Sequence, residues 1–295
     1  MQRVEREIAR LIQEIDYDVV THLFEKLQGG KRLRAKLILK IATSSEQAPL
    51  LGAIVELVHG ASLLHDDVID EATLRRGTPS VNATDGSKTA VMLGDILYSK
   101  AFSELVLFDR EIAKVVSSSV TALSKGEMMD VKMSQNFNDD AQIYLDMLYL
   151  KTATLIEAAA QGAALLEGKD AQKHALYGKN LGLSFQIIDD ILDITADEAT
   201  LGKPAMNDFV EGKCTLPYIY LYHALNTPEQ ERLRRLHAKV LDKEETFWIK
   251  EKMQEHKSIE KSFALAQKLS NEAMQAVKED AGLIEILETM IKRSY

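Results

Sequence analysis

Two segments of this chain, ASLLHDDVID and LSFQIIDDILDI, each set three aspartates into an apolar run that otherwise reads as buried helix. The first holds Asp66, Asp67 and Asp70, the second Asp189, Asp190 and Asp193, and both have the form D-D-x-x-D. Residues four apart share one helix face, so Asp66 pairs with Asp70 and Asp189 with Asp193. Like charges at that spacing destabilise a solvated helix by about 0.2–0.5 kcal/mol. In an apolar setting the cost rises, because a buried carboxylate needs a partner. A hard divalent cation is the natural one. Mg²⁺ prefers oxygen ligands, keeps several waters, and is commonly held by one or two carboxylates together with substrate phosphates. A single D-D-x-x-D reads equally well as an acidic helix end; two copies, both inside apolar helical runs, favour the metal.

Helical periodicity dominates the rest of the chain. Val4, Ile8, Leu11, Ile12 and Ile15 recur at helical spacing within residues 2–27, and Gly29-Gly30 ends that pattern. Helices are expected over about 31–42, 49–70, 90–108, 111–135, 139–166 and 171–195, with loops around Gly77–Gly86 and Gly202–Gly212. Another begins at Pro217, and beyond Thr227 the helices are charged, amphipathic and peripheral. No convincing alternating strand, flexible linker or low-complexity tract is visible. With few prolines and glycines and only 6% aromatics, the composition agrees with helix over sheet. Residues 1–295 read as one all-α domain.

A net charge of −9 and a pI near 5.4 count against general nucleic-acid binding. The one cysteine, Cys214, excludes an intramolecular disulfide and fits a reducing compartment. The charged, amphipathic N-terminus lacks the apolar core of a signal peptide, and no run approaches the roughly 20 apolar residues of a membrane span. The expectation is a cytoplasmic protein, with room for peripheral membrane contact.

An acidic metal site that receives a polyanion needs cations close by. Candidates are Lys31, Arg32 and Arg34 in GGKRLR, Arg75 and Arg76 after the first cluster, Lys151 in KTA, and Lys203 and Lys213 after the second. Any one of these lysines reads as a solvated surface charge; their order along the chain is what carries weight.

The segments GGKRLR, ELVHGASLLHDDVIDEATLRRGTPSVN, KTA, FQIIDDILD and GKPAMNDFVEGKCTLP, spanning residues 29–217, resemble the successive signature blocks of trans-isoprenyl diphosphate synthases. The resemblance implies an all-α helical bundle of the isoprenoid synthase type with a central cavity. It implies a Mg²⁺-dependent prenyltransferase that adds isopentenyl diphosphate to an allylic diphosphate such as farnesyl or geranyl diphosphate. Lys31, Arg34, His59 and Arg76 would bind isopentenyl diphosphate. Asp66 and Asp70 would hold Mg²⁺ on one side of the allylic diphosphate and Asp189 on the other, with Asp190 and Asp193 assisting. Arg75, Lys151, Thr152, Gln186, Lys203 and Lys213 would contact the allylic substrate. Asp67 completes the first cluster. Most relatives are dimers, so a homodimer is expected.

Three positions depart from the family pattern: Ala35 where proline often stands, Asp130 where glutamine is usual, and Met206 where glycine is common. Short-chain members often carry a bulky aromatic four or five residues before the first aspartate. Here those positions are Ser62 and Ala61, and the two-residue insertion of many bacterial short-chain enzymes is missing, which together resemble a long-chain enzyme. Helix geometry sets Ala61 about 7.5 Å before Asp66 along the axis.

Other classes fit less well. A terpene cyclase has no need of GGKRLR, and its second metal motif differs from DDILD. His59 and His65-Asp66 have the ligand types of a metal-dependent phosphohydrolase. Glu56 and His59 have the E-x-x-H spacing of a di-iron bundle, but the second copy such sites use is missing. A non-catalytic partner subunit would not need both acidic clusters intact. A short-chain farnesyl or geranylgeranyl diphosphate synthase stays open as an alternative.

Overall fold

The computed structural model describes residues 1–27, 30–75, 77–196 and 206–291, with the backbone alone at Met290. Helix α1 (Gln2–Gln13) buries Val4, Ile8, Leu11 and Ile12 as one stripe. The periodic pattern of residues 2–27 is not one helix. Asp16 turns into the left-handed region at φ 54°, a conformation a short polar side chain tolerates, and α2 (Asp18–Glu25) restarts after it. Helix α3 (Leu33–Ile41) leads to α4 (Ala48–Ile69), which opens with Pro49 in its first turn, where the missing N–H has no helical partner to lose.

After α4 comes a small antiparallel hairpin of β1 (Leu74–Arg75) and β2 (Thr78–Pro79), turning at Gly77 with φ 77°. Two-residue strands are too short to show alternation, which is why the sequence reads there as plain loop. Ser80 fixes the exit. Its hydroxyl donates to the Ala72 carbonyl at 2.6 Å and accepts the Ala83 N–H at 3.0 Å, capping α5 (Val81–Asp85).

Helices α6 (Ser87–Leu105) and α7 (Arg110–Met133) follow. The run expected as one helix over 139–166 is three pieces: α8 (Ala141–Leu148), a π-helical turn (Tyr149–Ala153) and α9 (Thr154–Glu167). Next come α10 (Ala171–Thr195), the one-turn α11 (Asn207–Val210), α12 (Leu216–Ala224), α13 (Thr227–Leu236), α14 (Lys243–His256), α15 (Ser258–Ala276) and α16 (Ala281–Ile291). The all-α expectation holds.

The chain forms two compact units, Met1–Leu123 with Leu155–Gly178, and Ser124–Thr154 with Lys179–Tyr295. In the first, α4 is the packing centre, against α1, α3 and α6. It is long and apolar enough to meet the criteria for a membrane span, but 67% of its most apolar window is buried within the protein; it is a core helix. In the second, α12 packs on α8, α14 and α15, and the Phe209 and Tyr218 rings stack at 4.3 Å. The peripheral Trp248 is covered by the Arg232 guanidinium at 4.2 Å, a cation–π contact.

Candidate active site

In the first unit, the first aspartate cluster occupies the last turn of α4. Asp70 is exposed, Asp66 is half-buried, and Asp67 is 1% exposed. The buried Asp67 carboxylate is neutralised by Arg75 of β1, whose Nε and Nη2 lie 2.6 and 2.5 Å from Oδ1. The Asp67 carbonyl accepts the Ala72 N–H and the Asn82 amide. Asp67 and Arg75 therefore fasten the segment after α4 onto the helix end, which fixes where Asp66 and Asp70 point.

One and two turns earlier on α4 lie Ser62, Ala61 and His59. Ala61 is fully buried, and Ser62 is half-buried with its hydroxyl donating to the His59 carbonyl at 2.9 Å. At the start of α3, Lys31 is exposed and Arg34 half-buried. Arg32 sits at φ 50° and turns its guanidinium to Glu5 (3.1 Å) and Glu56 (3.6 Å). His65 lies under Gly94 of α6, where an added Cβ would stand 2.3 Å from Nε2. Its Nε2 is 3.2 Å from the Val91 carbonyl and 3.5 Å from Asp95, and its ring meets Tyr98 edge-on. His65 is thus a half-buried residue whose ring contacts the Val91 carbonyl, Asp95 and Tyr98.

In the second unit, α10 carries the second cluster. Asp189 is exposed; Asp190 and Asp193 are 4% and 3% exposed. Asp193 Oδ2 accepts the Asp208 N–H at 3.2 Å, and its carbonyl accepts the Met206 N–H at 2.7 Å. Asp193 thereby tethers α11 to α10. Met206 holds φ 63°, the left-handed region that glycine adopts at least cost, with its side chain fully buried. This is the structural counterpart of its departure from glycine.

Five residues singled out from the sequence line one cavity in this unit: Lys151, Thr152, Gln186, Asp190 and Lys213. Asp130, Tyr144 and Asp208 line it as well and were not picked as site residues. A chain of hydrogen bonds, half-buried at Thr152 and Gln186 and buried at Tyr144 and Asp190, runs through it. Thr152 Oγ1 donates to Gln186 Oε1 (3.3 Å), Gln186 Nε2 donates to Asp190 Oδ1 (3.0 Å), and the Tyr144 hydroxyl donates to Asp190 Oδ2. Burial, then the nearby charge of Asp208, pushes the Asp190 carboxyl up to about 7, against the pull of the Gln186 and Tyr144 donors. Burial and Asp190 raise the Tyr144 hydroxyl well above its ordinary value.

The π-helical turn carries Lys151 and Thr152. Such turns insert one extra residue into a helix and recur at functional sites; nothing in the apolar periodicity around KTA announces it. Its backbone lies against α7 at Gly126, where an added Cβ would come within 2.3 Å of the Lys151 nitrogen. Lys151 Nζ lies 2.7 Å from Glu127 and 2.6 Å from Asp130. Burial works to lower its pKa, but Asp130 and then Glu127 overcome that, so the ammonium stays charged. Arg76 and Lys203 lie outside the described residues.

Asp66 and Asp70 in the first unit, and Asp189 in the second, each offer hard oxygen donors of the kind a divalent cation takes. Among the described residues, no three His, Cys, Asp or Glu side chains converge into a closed metal cage.

The sequence model of the Polyprenyl synthetase family matches residues 14–255. An all-trans-nonaprenyl-diphosphate synthase (geranyl-diphosphate specific) from Rhodobacter capsulatus is 40% identical over 215 residues, 70% of this chain and 66% of that protein. A short chain isoprenyl diphosphate synthase from Methanothermobacter thermautotrophicus is 34% identical over 244 residues, 79% of this chain and 74% of that protein. Among solved structures, the octaprenyl pyrophosphate synthase from Helicobacter pylori matches with a TM-score of 0.92 and 43% identity, covering 99% of this chain and 97% of that one. The polyprenyl synthase from Caulobacter crescentus, complexed with calcium and isoprenyl diphosphate, matches with a TM-score of 0.87 and 29% identity, covering 99% and 94%.

Proposed function

The chain belongs to the polyprenyl synthetase family, and from that premise we propose that it condenses isopentenyl diphosphate with an allylic diphosphate, farnesyl or geranyl, to give a long-chain all-trans polyprenyl diphosphate for a quinone side chain. The observation that carries this reading is the gathering of Lys151, Thr152, Gln186 and Lys213 around one cavity, hydrogen-bonded through Gln186 to Asp190 of the second aspartate cluster. Two cations and two neutral hydrogen-bonding groups beside an acidic motif suit a diphosphate that arrives with Mg²⁺. The Caulobacter polyprenyl synthase, complexed with calcium and isoprenyl diphosphate, carries a ligand pair of that same kind.

Asp66 and Asp70 would hold Mg²⁺, as separately would Asp189 with Asp190 and Asp193 assisting, and the metal would supply charge neutralisation for a diphosphate. The rest falls to the chain's own groups. Lys151 and Lys213 stabilise negative charge as it develops on the departing diphosphate, and Thr152 and Gln186 orient it. The bond from the allylic carbon to the diphosphate oxygen breaks. The double bond of isopentenyl diphosphate supplies the electron pair of the new carbon–carbon bond through its terminal carbon, which leaves the positive charge on its internal carbon; a proton then leaves the methylene beside that internal carbon, and its bonding pair forms the new double bond. We assign that proton to the released diphosphate, because among the described residues no carboxylate or imidazole stands apart for the role. Lys31, Arg34, His59 and Arg76 are assigned to isopentenyl diphosphate. Arg75 and Lys203 are assigned to the allylic substrate, Arg75 with its hold on Asp67 as a second task.

The small Ala61 and Ser62 before the first cluster support a long product. Exposed apolar side chains on long helices, Val91 and Met92 on α6 and Met128 and Val131 on α7, support a homodimer. We place the protein in the cytoplasm, with peripheral membrane contact for product release.

The test is an assay of the purified chain alone with farnesyl diphosphate, labelled isopentenyl diphosphate and Mg²⁺, followed by sizing of the dephosphorylated products. A long polyprenyl product supports the whole reading. A short product keeps the reaction and overturns the chain-length assignment, in line with the short-chain relatives. No product with metal binding intact points to a missing second subunit or to the phosphohydrolase reading.

A further inference from the structure

Lys151 is held from one side by two acids. Glu127 Oε2 and Asp130 Oδ2 stand 2.7 and 2.6 Å from its ammonium. The acids are three residues apart on α7 and so share a face. Gly126 lets that face approach the π-helical turn until no Cβ would fit. The three groups sum to one net negative charge where a cation would serve a polyanion. Lys151 and Asp130 line the cavity and Glu127 does not, although the two carboxylates are equally buried. The two carboxylates are therefore not equivalent. Asp130 accepts a hydrogen bond from the ammonium on the cavity side, where a diphosphate oxygen would approach, whereas Glu127 pairs with it by charge, away from the cavity lining.

We propose that Asp130 is a positioning residue that sets diphosphate affinity: it holds Lys151 toward the cavity and must yield that ammonium to an incoming diphosphate, while Glu127 keeps its grip throughout. This rests on the proposed function in one respect, that the cavity takes a diphosphate. An entering diphosphate either displaces Asp130 from Lys151 or accepts a like charge within a few ångströms. Either course weakens binding. The consequence is a lowered affinity that speeds exchange of the diphosphate end. A chain-lengthening enzyme needs that exchange, because each product must be re-seated as the next allylic substrate.

The experiment is calorimetric titration of the full chain with inorganic diphosphate and Mg²⁺, together with steady-state KM and kcat for both substrates. Asp130→Asn removes one charge with little change in shape. It should tighten diphosphate binding by about tenfold, equivalent to about 1.4 kcal/mol. It should lower KM for the allylic primer and leave KM for isopentenyl diphosphate unchanged. Asp130→Glu should restore the parent affinity, and Glu127→Gln should weaken binding instead. Asp130→Ser serves as a second neutral variant if Asn disturbs α7. Unchanged or weaker binding in both neutral variants, with turnover intact in the parent, overturns this inference alone. A parent chain that binds no diphosphate and forms no product overturns the reading of the cavity and this inference with it.

Discussion

The backbone N–H of Ala35 donates to Oε1 of Glu56 across 3.0 Å, linking the first turn of α3 to the middle of α4. Glu56 is 5% exposed, so this bond satisfies a buried carboxylate. Proline, common at this position in the family, has no N–H to give. Ala35→Pro fits a first helical turn sterically but leaves Glu56 short of a charged hydrogen bond, worth about 1.5–3 kcal/mol. Chemical denaturation should show a loss of that size, reduced when Glu56→Gln is already present. An equal loss in both backgrounds would mean that strain, not the missing donor, is responsible.

Asp67 and Arg75 make a second, sharper case. The carboxylate is buried and the guanidinium reaches it with two nitrogens. Arg75→Ala strands a buried charge, at a cost of about 3–5 kcal/mol, and frees the hairpin that follows α4. The double variant Arg75→Ala with Asp67→Asn should recover a large part of that stability. Arg75→Lys should recover less, since a single ammonium cannot reproduce the two-nitrogen contact. Thermal unfolding of the three variants decides it; no recovery in the double variant would show that Arg75 acts through something other than Asp67.

What the sequence revealed, and what it hid, divides along the range of the interactions. Helices with a continuous apolar stripe, such as α4 and α10, were legible because burial repeats every turn. So were the aspartate clusters, whose meaning lies within five residues. The partners of those clusters were not. Tyr144 bonds Asp190 from 46 residues away, and Asp130 reaches Lys151 across 21; no local pattern signals either. The π-helical turn was hidden because one extra residue leaves the apolar spacing around it nearly unchanged. The left-handed Asp16 that divides α1 from α2 is set by a single residue's backbone, which periodicity averages away. The three departures from the family pattern each meet a specific neighbour or backbone angle: Ala35 with Glu56, Asp130 with Lys151, Met206 with φ 63°.

His237 gives a pH prediction. Its ring packs against Phe137 and Phe209, and its Nε2 lies 2.7 Å from the carbonyl of Gly212, a residue of the cavity wall. Burial lowers its pKa from 6.5, outweighing the Gly212 carbonyl, which raises it. The unfolded chain therefore binds the proton more readily than the folded one. Stability is complete above 6.5 and is lost as pH falls below it toward the depressed folded value. Denaturation midpoints measured in chelator from pH 7.5 down to 5.5 should fall more steeply for the parent than for His237→Gln. Identical slopes would show that His237 titrates alike in both states.

Ala61 tests the chain-length assignment. It is fully buried on α4, about 7.5 Å before Asp66 along the helix axis. If growing prenyl chains pass this position, a ring here blocks them, and Ala61→Tyr should shorten the product while catalysis continues. If Ala61 is only core packing, the same ring overpacks the helix and costs about 1–3 kcal/mol, with product length unchanged in whatever protein stays folded. Ser62→Phe separates the two outcomes with less strain, because Ser62 is half-buried and gives up only its bond to the His59 carbonyl. Sizing the products of both variants beside their melting temperatures reads the two effects independently. Shortened products from a chain of parental stability would establish the tunnel face, and full-length products from both variants would remove Ala61 and Ser62 from the control of length.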